Sequence, residues 1–444
     1  MEATKVNSRW RVGAARRDIS PKAGDPLSGF VARLYPAVGV SEPLCARAVV
    51  IREEESAVAI VAADLLGLAS WHITEVREFA AERLGIPPQN VLLSATHTHS
   101  GPGVVYVRGC RMAPYDYQRS VVAAMQAAME EASERCAPAL LLTASVPFEM
   151  GLNRRQETPR GVVLGVALDK PHPTSLSIAE FRGAPQRIVL FSHACHPYVL
   201  GGENLLASGD FPSFACHELE GDGETVALFL NGCAGNIASV AAFQGLEAAR
   251  SEGLRMAEAI RNAFAALTPQ KNGGLGGFHR TIYLPYASLP SIDEIERLAA
   301  REERVVRPEE KEQSEIQTRI ACAIEEWSNL MRAIVRLERP LSPVHCEIQA
   351  LRIGNMVLLG IAGEPFFEIG EQIRAAASGA NLWALGYTNA YCGYLPTVRE
   401  IPGGGYEVED SWKYVGVWRL DESCEERAVS AGRAVANRAL NADQ

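Results

Sequence analysis

The run Ala95-Thr96-His97-Thr98-His99-Ser100-Gly101-Pro102-Gly103 places two imidazoles two residues apart where a short apolar stretch ends. On an extended backbone, residues i and i+2 share a face, so His97 and His99 can address one centre. Imidazole is the commonest protein ligand for zinc. The Gly-Pro-Gly that follows lets the chain turn sharply beside a bound group. Taken alone, the two rings either hold a metal or hydrogen-bond to fix the loop. A second signal is Ser192-His193-Ala194-Cys195-His196-Pro197. A residue before proline is extended or in a turn, which suits His196 to face a pocket, whereas His193 equally suits a satisfied place in the core. Downstream, Ser208-Gly209-Asp210 offers a carboxylate able to orient a ligand histidine from behind. Glu364 closes another apolar run, and a buried carboxylate needs a partner, either a metal or an arginine. The segment from Gly386 to Tyr394 adds phenols, as packing residues or as ligands.

These residues share one feature: they stand where apolar runs stop. Asp64, His97 with His99, His193 with His196, Asn231, Glu364, and Asn389 with Tyr391 all do so. Ligands of α/β sheets gather at the carboxyl ends of strands, so these ends are expected to converge. The strands expected are Ala48–Arg52, Ala57–Ala63, Val91–Ala95, Leu140–Val146, Arg187–Ser192, Thr225–Leu230, Met356–Ala362 and Leu382–Tyr387. Several are apolar on both faces, as strands covered on both sides are. Helical stripes lie between them: Ile73, Val76, Phe79, Ala80 and Leu84, closed by Gly85, and later Leu246, Ala249, Gly253, Met256, Ile260, Phe264 and Leu267. The charged stretch 291–337 has helical periodicity in two halves (Ile292, Ile295, Leu298; Ile316, Ile320, Ile324, Trp327). It predicts a helical hairpin inserted in the main body, serving as scaffold or as a contact between copies of the chain. Gly273–Gly277 reads as a flexible connector, and Gly403–Gly405 as a mobile loop beside Tyr406. The expectation is a mixed α/β fold in a single domain over 1–444.

Composition narrows the partners. The 444 residues carry 43 Lys+Arg against 53 Asp+Glu, a net charge of -10, and no basic stripe, which disfavours nucleic acid. The longest apolar stretch, Ala57–Ala69, is interrupted by Asp64 and is shorter than the ~20 residues of a spanning helix. The polar amino terminus lacks an export signal's apolar core, and the ten cysteines form no Cys-x-x-Cys pair. Reduced thiols in a cytoplasmic protein acting on a small molecule are expected. No G-x-S-x-G, H-E-x-x-H or P-loop is present.

In order, the segments 13–21 (GAARRDISP), the Thr-His-Thr-His-Ser-Gly-Pro-Gly run, Asn153-Arg154, His196-Pro197, Ser208-Gly209-Asp210, 231–236 (NGCAGN), Gly363-Glu364 and 389–394 (NAYCGY) resemble the neutral ceramidases, zinc-dependent amidases. The resemblance implies that His97, His196, Glu364 and Tyr394 hold one Zn2+ per chain. It implies that His99 stands beside the attacking water, that Tyr406 faces the oxyanion, and that Arg154 binds or orients substrate. Asp64, Asp210, Asn153 and Asn236 are then expected to support the ligands or bind substrate. Ala238, or with a shift Ser239, falls where the family carries a serine, and the chain ends about forty residues after Tyr406, without room for the family's carboxy-terminal β-sandwich. The function expected is therefore hydrolysis of an amide bond in a substrate smaller and more soluble than ceramide. The alternatives are a metal-dependent lactone or ester hydrolase or lyase, and a non-catalytic metal-binding homologue.

Overall fold

The structure is a computed structural model describing residues 9–183, 186–270, 273–303, 311–377 and 380–442. Strand β1 (Arg11–Asp18), β2 (Cys45–Glu53) and β3 (Ser56–Ala63) run antiparallel. Helix α1 (Ser70–Leu84) then returns the chain so that β4 (Val91–Ala95) joins β3 in parallel. Helix α2 (Tyr115–Glu134) covers the same sheet, burying Val121, Val122, Met125 and Met129 against Ala48, Val50 and Val61.

A second sheet starts with β5 (Leu140–Pro147), from which a hairpin of β6 (Gly151–Thr158) and β7 (Gly161–Ala167) departs. The chain returns as β8 (Ser175–Arg182) and β9 (Arg187–Ser192), and after α3 (Asp210–Leu219) β10 (Thr225–Phe229) lies parallel to β9. Residues Ile237–Ser239 pair with β6, and α4 (Leu246–Ala263) packs on α3 over the outer face. The third sheet is β11 (Leu275–Leu284), β12 (Val344–Ile353), β13 (Met356–Ile361) and β14 (Asn381–Leu385), backed by α7 (Phe367–Ala376) and α8 (Ser423–Leu440).

The inner faces of all three sheets meet in one core: Val12, Ile60 and Leu92 from the first, Phe181, Leu190 and Leu228 from the second, Leu351, Leu358 and Leu385 from the third. Each outer face is closed by helices, which explains strands with no polar alternation. Between β11 and β12 lie α5 (Ile292–Glu303) and α6 (Lys311–Arg336), joined by an Arg332–Glu296 ion pair and a shared apolar cluster. That cluster, with Ile295, Ile324 and Trp327, also takes in Trp412 and Trp418 near the carboxyl end. Residues 304–310, between the two helices, lie outside the described residues.

Two glycine readings change. The 273–277 stretch feeds directly into β11 rather than forming a loose connector. A Cβ on Gly277 would sit 1.8 Å from the Gln89 carbonyl, so this glycine permits a close backbone approach. The 403–405 glycines are held as well, since Arg155 donates to the Gly404 carbonyl at 2.7 Å.

Candidate metal centre

His97 and His99 follow β4, His196 follows β9, Glu364 follows β13, and Tyr394 pairs in register with Glu364 in a two-residue parallel bridge. The strand ends thus converge as the α/β rule requires. His97 adopts a left-handed φ of 71°, stabilised by its N–H to Leu65 O at 2.9 Å. Such backbone strain costs of order 1–3 kcal/mol and is retained where the surroundings over-determine it.

Each histidine turns its Nδ1 to a main-chain carbonyl: His97 to Leu66 O at 2.6 Å, His196 to Ala234 O at 2.7 Å, His99 to Gly29 O at 3.0 Å. A carbonyl only accepts, so each Nδ1 carries the proton and, in the neutral ring, Nε2 presents a lone pair. Those lone pairs face one another. Nε2 of His97 is 3.1 Å from Nε2 of His196 and 3.3 Å from that of His99. Glu364 Oε2 lies 3.2 and 3.1 Å from the Nε2 atoms of His97 and His196, is buried, and makes no hydrogen bond of acceptable geometry. Electron pairs this close repel unless a cation sits among them. Two ligands on a tetrahedral zinc with bonds of ~2.0–2.1 Å are about 3.3 Å apart, so the donor set fits such an ion. Among the described residues, His97, His99 and His196 are the cluster able to share one.

Electrostatics agree. Burial, aided by the Arg154 charge, pushes His196 down to about 3. Burial and then the His97 ring hold His99 well below its usual value. Burial alone would raise the Glu364 carboxyl, yet the flanking His97 and His196 rings hold it well below the usual carboxylate range. The centre therefore keeps the His196 and His99 imidazoles neutral beside an ionised Glu364 carboxylate.

Tyr394 OH lies 3.4 Å from His196 Nε2 and accepts from Arg154 at 3.0 Å. Arg154 is buried, donating also to Glu407 (2.7 Å), Tyr198 OH (3.3 Å) and Gly235 O (2.8 Å). Its guanidinium thus ties two phenols to the Glu407 carboxylate and the Gly235 carbonyl. Tyr406 opens a short π-helical turn, Tyr406–Asp410, with its ring edge-on to Tyr394 at 6.0 Å between centroids. On the more exposed side of the cluster, the His99 ring is flanked by Phe30 and Tyr198 at 5.1 and 5.5 Å.

The remaining expected residues sit elsewhere. Asp64 does not face an imidazole: its Oδ2 accepts from Arg47 at 2.8 Å and from Cys45 N at 2.9 Å. Asp210 accepts the N–H groups of Phe211 and Leu200, fixing the loop beyond His196 rather than a ring nitrogen, and burial raises it to about 6. Asn153 bonds Arg155 N and Pro171 O, and Asn236 bonds Glu368 and the Phe367 N–H that begins α7. Ala238 lies in the strand segment bridged to His196, while the neighbouring Ser239 hydroxyl accepts Ala241 N. His193 is a core histidine, bonded to Ser175 O and Gly151 N. The sequence reading missed the roles of Tyr391, whose hydroxyl reaches Glu364, and of Tyr387, stacked on His97 at 4.1 Å. Their signal was present in the clustered phenols of 387–394.

The shifts predict a pH dependence. His193 and His72 are each lowered by burial to about 4, in line with His196 and His99. Below about pH 6.5 the unfolded chain protonates these four rings while the folded protein does not, so stability falls with acid. Glu42 and Asp210, raised by burial to about 7 and about 6, and Glu368, also raised by burial, act in the opposite sense. Four rings outweigh three carboxyls. Metal-free protein is therefore expected to lose roughly 1.4 kcal/mol per net proton per unit between about pH 6 and pH 4.5. Urea midpoints at those two values check this, and an equal or higher midpoint in acid contradicts it.

No family model matches the sequence. The chain is 25% identical to the neutral ceramidase of Mycobacterium tuberculosis (strain ATCC 25618 / H37Rv), over 89% of this chain and 73% of that protein. Its fold matches the crystal structure of neutral ceramidase from Pseudomonas aeruginosa at 20% identity with a TM-score of 0.72, covering 97% of this chain and 75% of that one. A ceramidase complexed with C2 matches with a TM-score of 0.73 over 97% and 76%. Fold and site together define a mixed helix-and-sheet protein with a ceramidase-like hydrolase fold and a histidine cluster able to bind metal. The sequence and fold matches make the chain similar to neutral ceramidases. No helix among the described residues is long and apolar enough to cross a membrane.

Proposed function

We propose that this chain is a zinc-dependent hydrolase that cleaves an amide (N-acyl) bond in a small soluble substrate, acting in the cytoplasm. The observation that carries the reading is the convergence of the histidine Nε2 atoms on Glu364 Oε2, with the Nδ1 protons directed away to carbonyls. His97, His196, Glu364 and Tyr394 would hold the ion. Zinc in such a set supplies Lewis acidity that polarises a carbonyl and acidifies water.

The chain's own residues do the rest. His99, neutral and oriented by Gly29 O, accepts a proton at Nε2 and returns it to the departing nitrogen. Burial keeps the Tyr406 phenol protonated, so it donates to an oxygen that gains charge. Arg154 fixes the Tyr394 hydroxyl beside His196. Water attack needs no serine, so Ala238 is compatible with this route.

The test is metal content and turnover together. Protein purified without a histidine tag is expected to hold about one zinc per chain, and chelation should abolish hydrolysis of N-acyl amides until zinc is restored. Solvent ¹⁸O should enter the acid product. His99→Ala should keep the zinc and lose ~10²–10⁴-fold in rate. Loss of zinc in that variant would make His99 a ligand, and a wild type that takes up no zinc would overturn the reading.

A further inference from the structure

We infer that Tyr391 is a positioning residue for the metal centre, fixing which Glu364 oxygen faces the imidazoles; this rests on the metal reading above. Its hydroxyl donates to Glu364 Oε1 at 2.5 Å. An ionised carboxylate only accepts, so the phenol must be the donor, in a short charge-assisted bond. With Oε1 taken, Oε2 alone is left at 3.2 and 3.1 Å from the two Nε2 atoms. The carboxylate is thereby set to bind through one oxygen.

Tyr391 also connects the carboxylate to the segment that aims His97. Its N–H donates to Leu68 O at 2.9 Å, and Ala390 bridges Leu68. Two residues earlier in that segment, Leu66 O takes the His97 Nδ1 proton, and Leu65 O takes the His97 N–H. Gly67 lies directly under the phenol: a Cβ there would come 3.1 Å from Tyr391 Cβ and 3.2 Å from its ring. A side chain at 67 would have to push the ring aside. One tyrosine thus registers two ligands that lie 267 positions apart in sequence, His97 and Glu364.

Partners of this kind change metal affinity about 10–100-fold when lost. Tyr391→Phe should therefore bind Zn2+ 10–100-fold more weakly in competition with a chromophoric chelator, with stoichiometry unchanged at saturation. Tyr117→Phe is the control. Its hydroxyl donates to Ile19 O at 2.6 Å from helix α2, so it loses a hydrogen bond without touching the centre. It should melt lower yet bind Zn2+ as the wild type does. Affinity of Tyr391→Phe within twofold of wild type overturns the inference. A wild type that binds no Zn2+ sinks the metal reading itself, a different outcome read in a different sample. If Tyr391→Phe does not fold, Gly67→Ala displaces the same ring. Weakened binding there supports the role, and unchanged binding refutes it.

Discussion

Glu364→Gln is expected to empty the centre while leaving the fold in place. Structural zinc sites are worth about 10–16 kcal/mol, or roughly 2.5–4 kcal/mol for each of four ligands. Removing the one carboxylate should then weaken binding on the order of 10²–10³-fold. Glutamine keeps the shape and can still accept from Tyr391, so the loss reports charge rather than packing. Thermal unfolding gives a second readout. Free zinc at a thousand times Kd stabilises the wild type by about 4 kcal/mol. The same concentration would stand near Kd for the variant and add only about 0.4 kcal/mol. A variant that still melts higher with zinc, by as much as the wild type does, would remove Glu364 from the ligand set.

Such a centre was legible in part because its side chains are chemically distinctive and sit at strand ends. The His97/His99 run, Arg154, His196, Glu364, Tyr394 and Tyr406 lie apart in the sequence, and the fold brings them together. What was not legible is what orients them. The acceptors for the three Nδ1 protons are main-chain carbonyls of Leu66, Ala234 and Gly29, and a backbone oxygen leaves no trace in residue type. The Glu407 that holds both Arg154 and Arg155 joins residues more than 250 positions apart. The same division holds for the fold. Strands buried on both faces, such as β4 and β13, announce themselves as apolar runs. Strand β1 hides because only Val12, Ala14 and Ala15 among its eight residues carry apolar side chains, whereas β7 (GVVLGVA) is an apolar run that nevertheless stays largely exposed. Gly277 pairs with Leu351 in the ladder, and what requires glycine there is the neighbouring Gln89 carbonyl, a fact of packing rather than propensity.

Asp64 shows where a strand-end carboxylate misleads, and it supports the other large effect expected. Arg47 is fully buried and pairs with Asp64 at 2.8 Å and Glu220 at 3.1 Å, both of them buried. Arg47→Met would leave Asp64 with only the Cys45 N–H, while Glu220 keeps Arg16 and Ala227 N. An abandoned buried charge costs about 3–5 kcal/mol, a large share of a folding stability of ~5–15 kcal/mol. Asp64→Asn should cost less, about 1–3 kcal/mol, because Arg47 retains Glu220 and the amide can still accept a hydrogen bond. Denaturant melts of both variants give this order. Zinc affinity measured on the folded fraction should match the wild type in each, since neither residue hydrogen-bonds a ligand histidine. A variant that keeps its stability but loses zinc would reverse the assignment and return Asp64 to the metal centre. The opposite pattern makes the Arg47 network a purely structural joint between the first sheet and the Glu220 turn that follows α3.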